Sequence, residues 1–193
     1  NFDMQQVITT NANYAQSVYA TDLDNDGDID VLSASSIDSK IAWYENDGSG
    51  NFGLQQIITT NANGAKSVYV ADLDNDGDID VLSASEYDNK TAWNANDGNG
   101  NIGTQQSMTT NAIGASSVYA TDLDNDGDID VLSASRDDNK IAWYENDGGG
   151  NFGVQQIITT DVDEAMSVYT ADLDNDGDVD VLPFLTVDSI HFC

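Results

Sequence analysis

The chain has 193 residues, of which 35 are acidic and 5 are basic, so its formal net charge is −30. This charge repels phosphate, the few basic residues are scattered, and nucleic acid is therefore excluded as an expected partner. No apolar run is long enough to span a membrane, whereas the hydrophobic content of 39% suffices for a buried core.

The predicted elements begin with residues 2–10, which have the composition of a β-strand and match a later segment of the chain. The following strands are predicted at residues 17–21, 29–35, 40–45 and 52–60. An acidic loop at residues 22–30 separates the first two of these strands, and the turn formers of residues 46–51 precede the last. No segment keeps a helical apolar period, so the chain is predicted to be all-β.

The same group of four strands recurs every 50 residues. Short strands that repeat with a fixed period are typical of a β-propeller built from four-stranded antiparallel blades. We expect one domain over residues 1–193 with about four blades. The units are approximately 17–60, 67–110, 117–160, and 167–193 together with 2–10. Trp43, Trp93 and Trp143 keep one register and are predicted to pack between blades rather than to stack on sugars.

The two ends of the chain leave the closure of the ring open. If the strand at residues 2–10 completes the last sheet, a four-bladed ring closes and no sheet edge is exposed. A piece of a larger ring, or a homo-oligomer in which two chains form eight blades, fits the same sequence. Pro183 to Leu185 replace a Ser-Ala-Ser segment of the other units, so the last blade departs most from the pattern.

The acidic loops have the ligand pattern of a Ca²⁺ site. Carboxylates stand at loop positions 1, 3, 5 and 9 with glycine at position 6, and Ca²⁺ takes six to eight oxygens at about 2.3–2.6 Å. An EF-hand would add a glutamate at position 12, which is Ser33 in the first loop. We expect one ion per loop, four in total, with the fourth aspartate of each loop (Asp28 in the first) contributing its main-chain carbonyl. The predicted metal ligands are Asp22, Asp24, Asp26, Asp28, Asp30, Asp72, Asp74, Asp76, Asp78, Asp80, Asp122, Asp124, Asp126, Asp128, Asp130, Asp172, Asp174, Asp176, Asp178 and Asp180.

Three motifs together resemble the FG-GAP/VCBS repeat, which also builds the integrin α-subunit propeller and some fungal lectins. They are Phe-Gly at a strand start, Asp-x-Asp-x-Asp-Gly-x-x-Asp in a hairpin, and Trp-Tyr-x-Asn-Asp-Gly-x-Gly. The resemblance runs from Phe2 to about Val187 and implies calcium ligands at the positions given above. The departures, such as Ala95 and Ile102 in the second unit, touch no ligand. Because the fold hosts many functions, the resemblance implies no single activity.

Variation between units is concentrated in the loops opposite the calcium loops. The acidic loop is identical in the first three units, whereas the loops near residues 36–39 and 61–66 differ from their equivalents. This pattern favours a recognition module that binds a glycan or an extracellular protein, with Ca²⁺ in a structural role. Tyr14, Tyr87 and Arg136 are the candidate ligand contacts. Drift after a recent duplication explains the same variation without a ligand.

A passive structural spacer from a larger extracellular protein is the alternative function. The chain begins at Asn1 without methionine, which fits an excised or trimmed segment. An enzyme is not expected, because the single histidine, His191, lies near the end and no activated nucleophile is recognisable. Loops of this kind commonly fill at extracellular calcium levels, so secretion is expected. The fourth loop, with Val179 in place of isoleucine, is expected to bind most weakly.

Overall fold

The structure is a computed structural model that describes residues 5–185. This part of the chain consists of strands, turns and loops, and it contains no helix that could span a membrane. The strands of the described residues are β1 (Ala15–Thr21), β2 (Asp30–Ser35), β3 (Lys40–Tyr44), β4 (Gln56–Thr59), β5 (Ala65–Ala71), β6 (Asp80–Ser85), β7 (Lys90–Asn94), β8 (Gln106–Thr109), β9 (Ala115–Thr121), β10 (Asp130–Ser135), β11 (Lys140–Tyr144), β12 (Gln156–Thr159), β13 (Ser167–Ala171) and β14 (Asp180–Phe184).

These strands form four separate antiparallel sheets, one for each 50-residue unit. Sheet 1 contains β1 to β4, sheet 2 contains β5 to β8, and sheet 3 contains β9 to β12, each paired in chain order. Sheet 4 contains β13 and β14 within the described residues. The predicted all-β class is confirmed. The strand predicted at 52–60 is shorter, because residues 52–55 form only an isolated bridge between Phe52 and Asn46.

The second strand of each of sheets 1 to 3 is buried on both faces, as its continuous apolar sequence predicts. In β2, Leu32 and Ala34 have no exposed surface, and β6 and β10 are buried along their whole length. The side chains of consecutive sheets interlock to form three core clusters, one for each pair of neighbouring sheets. Trp43 and Trp93, each 3% exposed, lie in the first two of these clusters, which confirms them as core aromatics.

A row of tyrosines crosses the stack, one from the first strand of each sheet. The ring centroids of Tyr19 and Tyr69 are 5.1 Å apart, those of Tyr69 and Tyr119 are 4.8 Å apart, and those of Tyr119 and Tyr169 are 4.9 Å apart. Such tilted and edge-on contacts are favourable arrangements of aromatic rings. The row therefore ties the first strands of all four sheets together.

The stack has an open face on sheet 1. Val18 is 69% exposed, whereas its equivalents Val68, Val118 and Val168 are each 3% exposed because a preceding sheet covers them. Residues 5–9 lie beside this face, where they line a cavity of about 330 Å³ together with Val18 and Tyr44. Gln6 donates a hydrogen bond from its side chain to the Gly50 carbonyl at 2.9 Å.

The predicted closing strand at residues 2–10 is not formed over residues 5–10. These residues lie against the face of sheet 1 and pair with no edge strand of the described chain. Residues 1–4, and the predicted continuation of the last unit after residue 185, lie outside the described residues. The architecture of residues 5–185 is thus a stack of four antiparallel sheets, and a closed ring does not form within it.

The last sheet departs from the others where the sequence does. Pro183 lies in β14 opposite Val168, a position that suits an edge strand because proline donates no hydrogen bond. Phe184 is 61% exposed, whereas its equivalent Ala134 has no exposed surface. The face of sheet 4 that looks away from sheet 3 is therefore open as well.

Candidate metal centres

Each acidic loop joins the first and second strands of its sheet. Loops 1 to 4 are residues 22–30, 72–80, 122–130 and 172–180. The turn needs two residues in the left-handed region, which asparagine and glycine reach most readily. In loop 1 these are Asn25, with φ of 59°, and Gly27, with φ of 95°, and the other loops repeat both values closely. The backbone thus curls so that the carboxylates converge.

Three carboxylates of each loop converge on one point. In loop 1 they belong to Asp22, Asp24 and Asp30, and each offers an oxygen within 4.8 Å of the other two. The corresponding triads are Asp72, Asp74 and Asp80; Asp122, Asp124 and Asp130; and Asp172, Asp174 and Asp180. The structure therefore brings together positions 1, 3 and 9 of every loop, as the sequence predicts.

The aspartate at position 9 is fixed from two sides. Asp30 accepts a hydrogen bond from the Leu23 N–H at 3.1 Å and a second one from the Asn46 N–H at 2.8 Å. Asp80 and Asp130 accept the equivalent pairs of bonds in their own sheets. Since backbone donors hold its carboxylate, this aspartate forms a rigid base for the triad.

The other two carboxylates of the triad have oxygens without a hydrogen-bond partner. Asp22 Oδ1 and Asp24 Oδ1 are both buried and unpaired, and so are the same atoms of Asp72, Asp74 and Asp122. A buried carboxylate oxygen that lacks a donor is costly, so it normally has a proton donor or a cation as its partner. All-oxygen donors of this kind suit a hard divalent cation, and the residues present therefore fit one.

Burial of these groups resists their ionisation. Burial raises the pKa of Asp80 to about 7 and that of Asp130 to about 6, and neighbouring carboxylates add to the rise while the two backbone hydrogen bonds oppose it. The pKa of Asp30 is raised for the same reasons. The pKa values of Asp24 and Asp74 are also raised, by burial first and then by the adjacent aspartates. A bound cation would relieve this accumulation of negative charge.

Two predicted ligands of each loop lie outside the triads. Asp26 accepts a hydrogen bond from the Asp28 N–H at 2.9 Å, and loops 2 to 4 repeat this bond. The Asp28 carboxylate lies against Gly48 of the following turn, where a Cβ atom would meet it. Ligation by the Asp26 side chain and by the Asp28 carbonyl, with their equivalents, stays a prediction.

The sequence motifs did not identify an asparagine that holds the last aspartate of the triad in sheets 1 to 3. Asn46, Asn96 and Asn146 donate their backbone N–H groups to Asp30, Asp80 and Asp130 at 2.8–2.9 Å. These asparagines begin the turn that the sequence marks only as a set of turn formers. Their exact recurrence with the acidic loops was the signal that could have identified them.

Three of the four lysines have the same role in sheets 1 to 3. Lys40, Lys90 and Lys140 are buried at equivalent positions, and each pairs with the aspartate two residues before it. Lys40 also donates to the Asn11 carbonyl at 2.8 Å, and the other two lysines make the equivalent bonds. They therefore connect each sheet to the segment that precedes it.

The predicted ligand contacts lie at the end of the stack away from the acidic loops, which we call the variable end (residues 11–14, 36–39, 61–64, 86–89, 111–114, 136–139 and 161–164). Tyr14, just before β1, and Tyr87 are each 67% exposed. The Arg136 guanidinium pairs with Glu86 at 2.7 Å and with Asp137 at 2.9 Å. An open cavity of about 500 Å³ lies beside Arg136 between sheets 3 and 4. Its lining residues are Arg136, Asp137, Asn139, Asp163 and Glu164.

The stacked sheets and the aspartate triads define an all-β repeat protein with one candidate metal site in each repeat. The family model for the FG-GAP-like repeat matches the chain three times, over residues 22–83, 72–133 and 122–182. The chain therefore belongs to the FG-GAP-like repeat family, as the sequence motifs predict. No curated protein matches it.

Several solved structures share the fold. A lectin of Agrocybe aegerita, described as specifically recognising non-reducing terminal N-acetylglucosamine, superposes with a TM-score of 0.64 at 19% identity. The match covers 89% of this chain and 47% of the lectin chain, so the chain spans about half of that protein. The Tc holotoxin pore of Photorhabdus luminescens has a TM-score of 0.53 at 20% identity and covers 93% of this chain and 9% of its own. The V. cholerae biofilm matrix protein Bap1 has a TM-score of 0.52 at 20% identity, with coverages of 86% and 23%.

Proposed function

We propose that this chain is a secreted, calcium-stabilised recognition module of the β-propeller type that binds a glycan or an extracellular protein. Calcium has a structural role in this proposal, and no catalytic step is assigned to the chain. The proposal rests mainly on the four aspartate triads, three of which have unpaired buried oxygens, and on their recurrence in a stack whose opposite end carries variable loops. A rigid scaffold that presents variable loops is a common design of binding proteins.

Calcium is the cation that best suits the triads. The loops offer only oxygen atoms, and their asparagine and glycine turns adapt to the irregular coordination that Ca²⁺ accepts. When bound, the ion supplies the positive charge that offsets the repulsion between the carboxylates. Asp22, Asp24 and Asp30 would hold it in loop 1, and the backbone donors of Leu23 and Asn46 orient Asp30 for this purpose.

The propeller assignment is supported by the way in which the sheets stack. Each sheet is one 50-residue unit, its first strand contributes to the tyrosine row, and its faces pack against the neighbouring sheets. The open faces of sheets 1 and 4 are where further blades would continue the ring. In this proposal, additional blades from the same protein or from a second copy would cover these two faces.

The variable end is the proposed ligand-binding surface. Tyr87 exposes an aromatic face of the kind that packs on sugar rings, and its ring covers Gly64, which positions it. The cavity beside Arg136 offers a guanidinium, carboxylates and an amide, which are suitable partners for hydroxyl groups. Since the lectin of similar fold recognises terminal N-acetylglucosamine, this sugar is the first ligand to test.

A glycan array that includes terminal N-acetylglucosamine tests the proposal, with the purified chain in millimolar calcium and again in EDTA. The expected result is a selective signal that chelation abolishes. Tyr87→Ala and Arg136→Gln should each weaken the signal about tenfold or more, since contacts at the centre of a binding site commonly contribute more than 1 kcal/mol. Leu54→Ala is the matched control, because Leu54 is 91% exposed and lies outside the variable end.

A blank array from a folded, calcium-loaded sample would contradict the glycan arm of the proposal. The open face around Val18 then favours a structural spacer, because such a face suits contact with further units of a longer protein. A spacer should bind no soluble ligand at the variable end. A pull-down from extracellular protein with wild type and with the Tyr87→Ala variant separates a protein ligand from a spacer, since only a true ligand depends on Tyr87.

A further inference from the structure

We propose that Asn96 and Asn146 are positioning residues that couple neighbouring acidic loops, so that loops 1, 2 and 3 bind metal cooperatively. The inference rests on the proposed metal binding and adds a property that the separate loops do not have. Two sites can be coupled when both affect the conformation of one structural element that contacts them. Such a connection runs between loop 1 and loop 2, and an equivalent one runs between loop 2 and loop 3.

Asn96 contacts both loops at once. Its side-chain amide donates to the Leu23 carbonyl in loop 1 at 2.7 Å and to the Ile79 carbonyl in loop 2 at 2.9 Å. Its backbone N–H donates to Asp80 of the loop 2 triad at 2.9 Å. With 3% of its surface exposed, Asn96 has little freedom to move independently of either loop.

The connection on the side of loop 1 reaches a triad carboxylate directly. Leu23 lies between Asp22 and Asp24, and its N–H donates to Asp30 at 3.1 Å. Leu23 therefore donates its N–H to Asp30 and accepts a hydrogen bond from Asn96 at its carbonyl. The path from Asp30 to Asp80 consists of hydrogen bonds and the short backbone segments that carry them.

Asn146 connects loops 2 and 3 as Asn96 connects loops 1 and 2, whereas the equivalent residue of sheet 1, Asn46, connects no two loops of the described chain. Asn146 donates to the Leu73 carbonyl of loop 2 at 2.8 Å and to Asp130 of loop 3 at 2.9 Å. Asn46, by contrast, donates only within its own sheet, to Asp30 and to the Ile29 carbonyl. No sheet precedes sheet 1 in the described residues, so Asn46 has no earlier loop to contact.

The unpaired acceptors of these asparagines agree with a bridging role. Asn46 Oδ1 accepts a bond from the Gly50 N–H at 3.1 Å, which closes its own turn. The Oδ1 atoms of Asn96 and Asn146 are buried and have no partner among the described residues. The two bridging side chains are thus oriented by their donor contacts to the two loops and not by their own turns.

An exposed hydrogen bond forms a second link between the same loops. Asn25 of loop 1 donates to Asp78 of loop 2 at 2.8 Å, and Asn75 of loop 2 donates to Asp128 of loop 3 at 2.7 Å. Asn125 makes no such bond to loop 4, all of which is described. The links therefore join loops 1 to 3 into one unit and leave loop 4 outside it.

The test is a calcium titration of the whole chain followed by NMR, in which the amides of Gly27, Gly77 and Gly127 report loops 1, 2 and 3 separately. Loop 1 is disabled by Asp24→Ala. With Asn96 intact, the dissociation constant of loop 2 should rise about fivefold or more, which is the lower range of measured couplings. In an Asn96→Ala background, disabling loop 1 should change the dissociation constant of loop 2 by less than about twofold.

Matched variants separate coupling from misfolding. Asn46→Ala removes the same side chain without an inter-loop contact, so it should weaken loop 1 and leave the response of loop 2 to loop 1 intact. Because Asn25 is exposed and left-handed, Asn25→Gly should fold normally and reduce the coupling, whereas Asn125→Gly should not.

The outcomes distinguish the two proposals. If the three amides shift with calcium but loop 2 ignores the loss of loop 1, the coupling is overturned and the metal sites stand. If no glycine amide responds to calcium, the metal sites themselves are overturned, and the coupling with them.

Discussion

At the scale of single residues, the contacts between sheets depend on glycines that leave room for tryptophan. A Cβ atom on Gly150 would lie 2.6 Å from the ring of Trp93 in the preceding sheet, and Gly100 meets Trp43 in the same way. Gly50 has a similar backbone, with φ of 79° against 69° at Gly150, but nothing lies within 4 Å of it. The three glycines thus share a left-handed backbone conformation and differ in what their Cα atoms pack against.

We expect Gly50→Ala to lower the free energy of unfolding by about 1–2 kcal/mol, because alanine is strained in the left-handed region. Gly150→Ala should cost about 1–3 kcal/mol more, since Trp93 must shift within a packed core. Urea unfolding in calcium, followed by tryptophan fluorescence, measures the difference between the two variants. Equal losses at both positions would show that the contact with Trp93 contributes nothing.

The buried triad aspartates predict how pH acts on stability. Because burial raises the pKa of Asp80 to about 7, the metal-free folded state holds this proton more tightly than the unfolded state does. The resulting stability is fully present below the unfolded pKa near 4 and is lost as pH rises to about 7. Calcium requires ionised carboxylates, so its stabilising effect should grow over the same range.

The measurement is the thermal midpoint at pH 5, 6 and 7.5, in EDTA and in millimolar calcium. We expect the midpoint in EDTA to fall with rising pH and the increase caused by calcium to be largest at pH 7.5. Asp80→Asn mimics the protonated side chain, so this variant should show a weaker pH dependence and a smaller calcium effect. A midpoint in EDTA that climbs from pH 5 to 7.5 would contradict the assignment.

At the scale of the elements, loop 4 is built from the same residues as the others but lies in a poorer setting. Asp180 is partly exposed, whereas Asp30, Asp80 and Asp130 have no exposed surface. Within the described residues, Asp180 accepts only the Leu173 N–H, because no asparagine turn supports it. Leu173 is itself 45% exposed, while Leu23 and Leu73 are covered by the following sheet.

Loop 4 should therefore bind calcium most weakly, about tenfold or more below loop 2, since fewer contacts hold its carboxylates in place for the ion. The amide signals of Gly177 and Gly77 during a calcium titration measure the two affinities in one sample. A Gly177 amide that titrates together with the Gly77 amide would contradict this expectation.

The strands and loops were the part of the molecule that sequence predicted best. Their signal is local, because turn formers, acidic positions and apolar runs act within a few residues and recur in every unit. The bridging role of Asn96 and the burial of Lys90 were not predicted, since both depend on which sheet lies next to which. The strand predicted over residues 5–10 is not formed for the same reason. The composition of this segment suits a strand, but strand pairing also depends on which neighbouring strand the segment meets.

At the scale of the whole molecule, the open face of sheet 1 distinguishes Val18 from its equivalents. Val18→Asp should leave the free energy of unfolding within about 0.5 kcal/mol of wild type, because the side chain is already exposed. Val68→Asp should be severely destabilising, by about 3 kcal/mol or more, because it buries an unpaired carboxylate between two sheets. Chemical denaturation compares them.

The same pair of variants reports whether the face is covered in solution. If a second copy of the chain completes the ring, Val18→Asp should convert a dimer to a monomer in light scattering. A monomeric wild type whose stability is unchanged by Val18→Asp would instead support completion by further units of a longer protein. A large loss of stability in the monomeric Val18→Asp variant would contradict the open face itself.

The serial order of the sheets also has a mechanical consequence. Each sheet is one continuous stretch of about 50 residues that packs mainly on its immediate neighbours, so tension applied to the two ends would act on the units one at a time. Sheet 4, with two strands among the described residues, should yield first. Each later event would release up to about 170 Å of extended chain. Calcium in loops 1 to 3 would raise the force needed for those later steps. The resistance of the stack to tension would therefore increase with the surrounding calcium concentration.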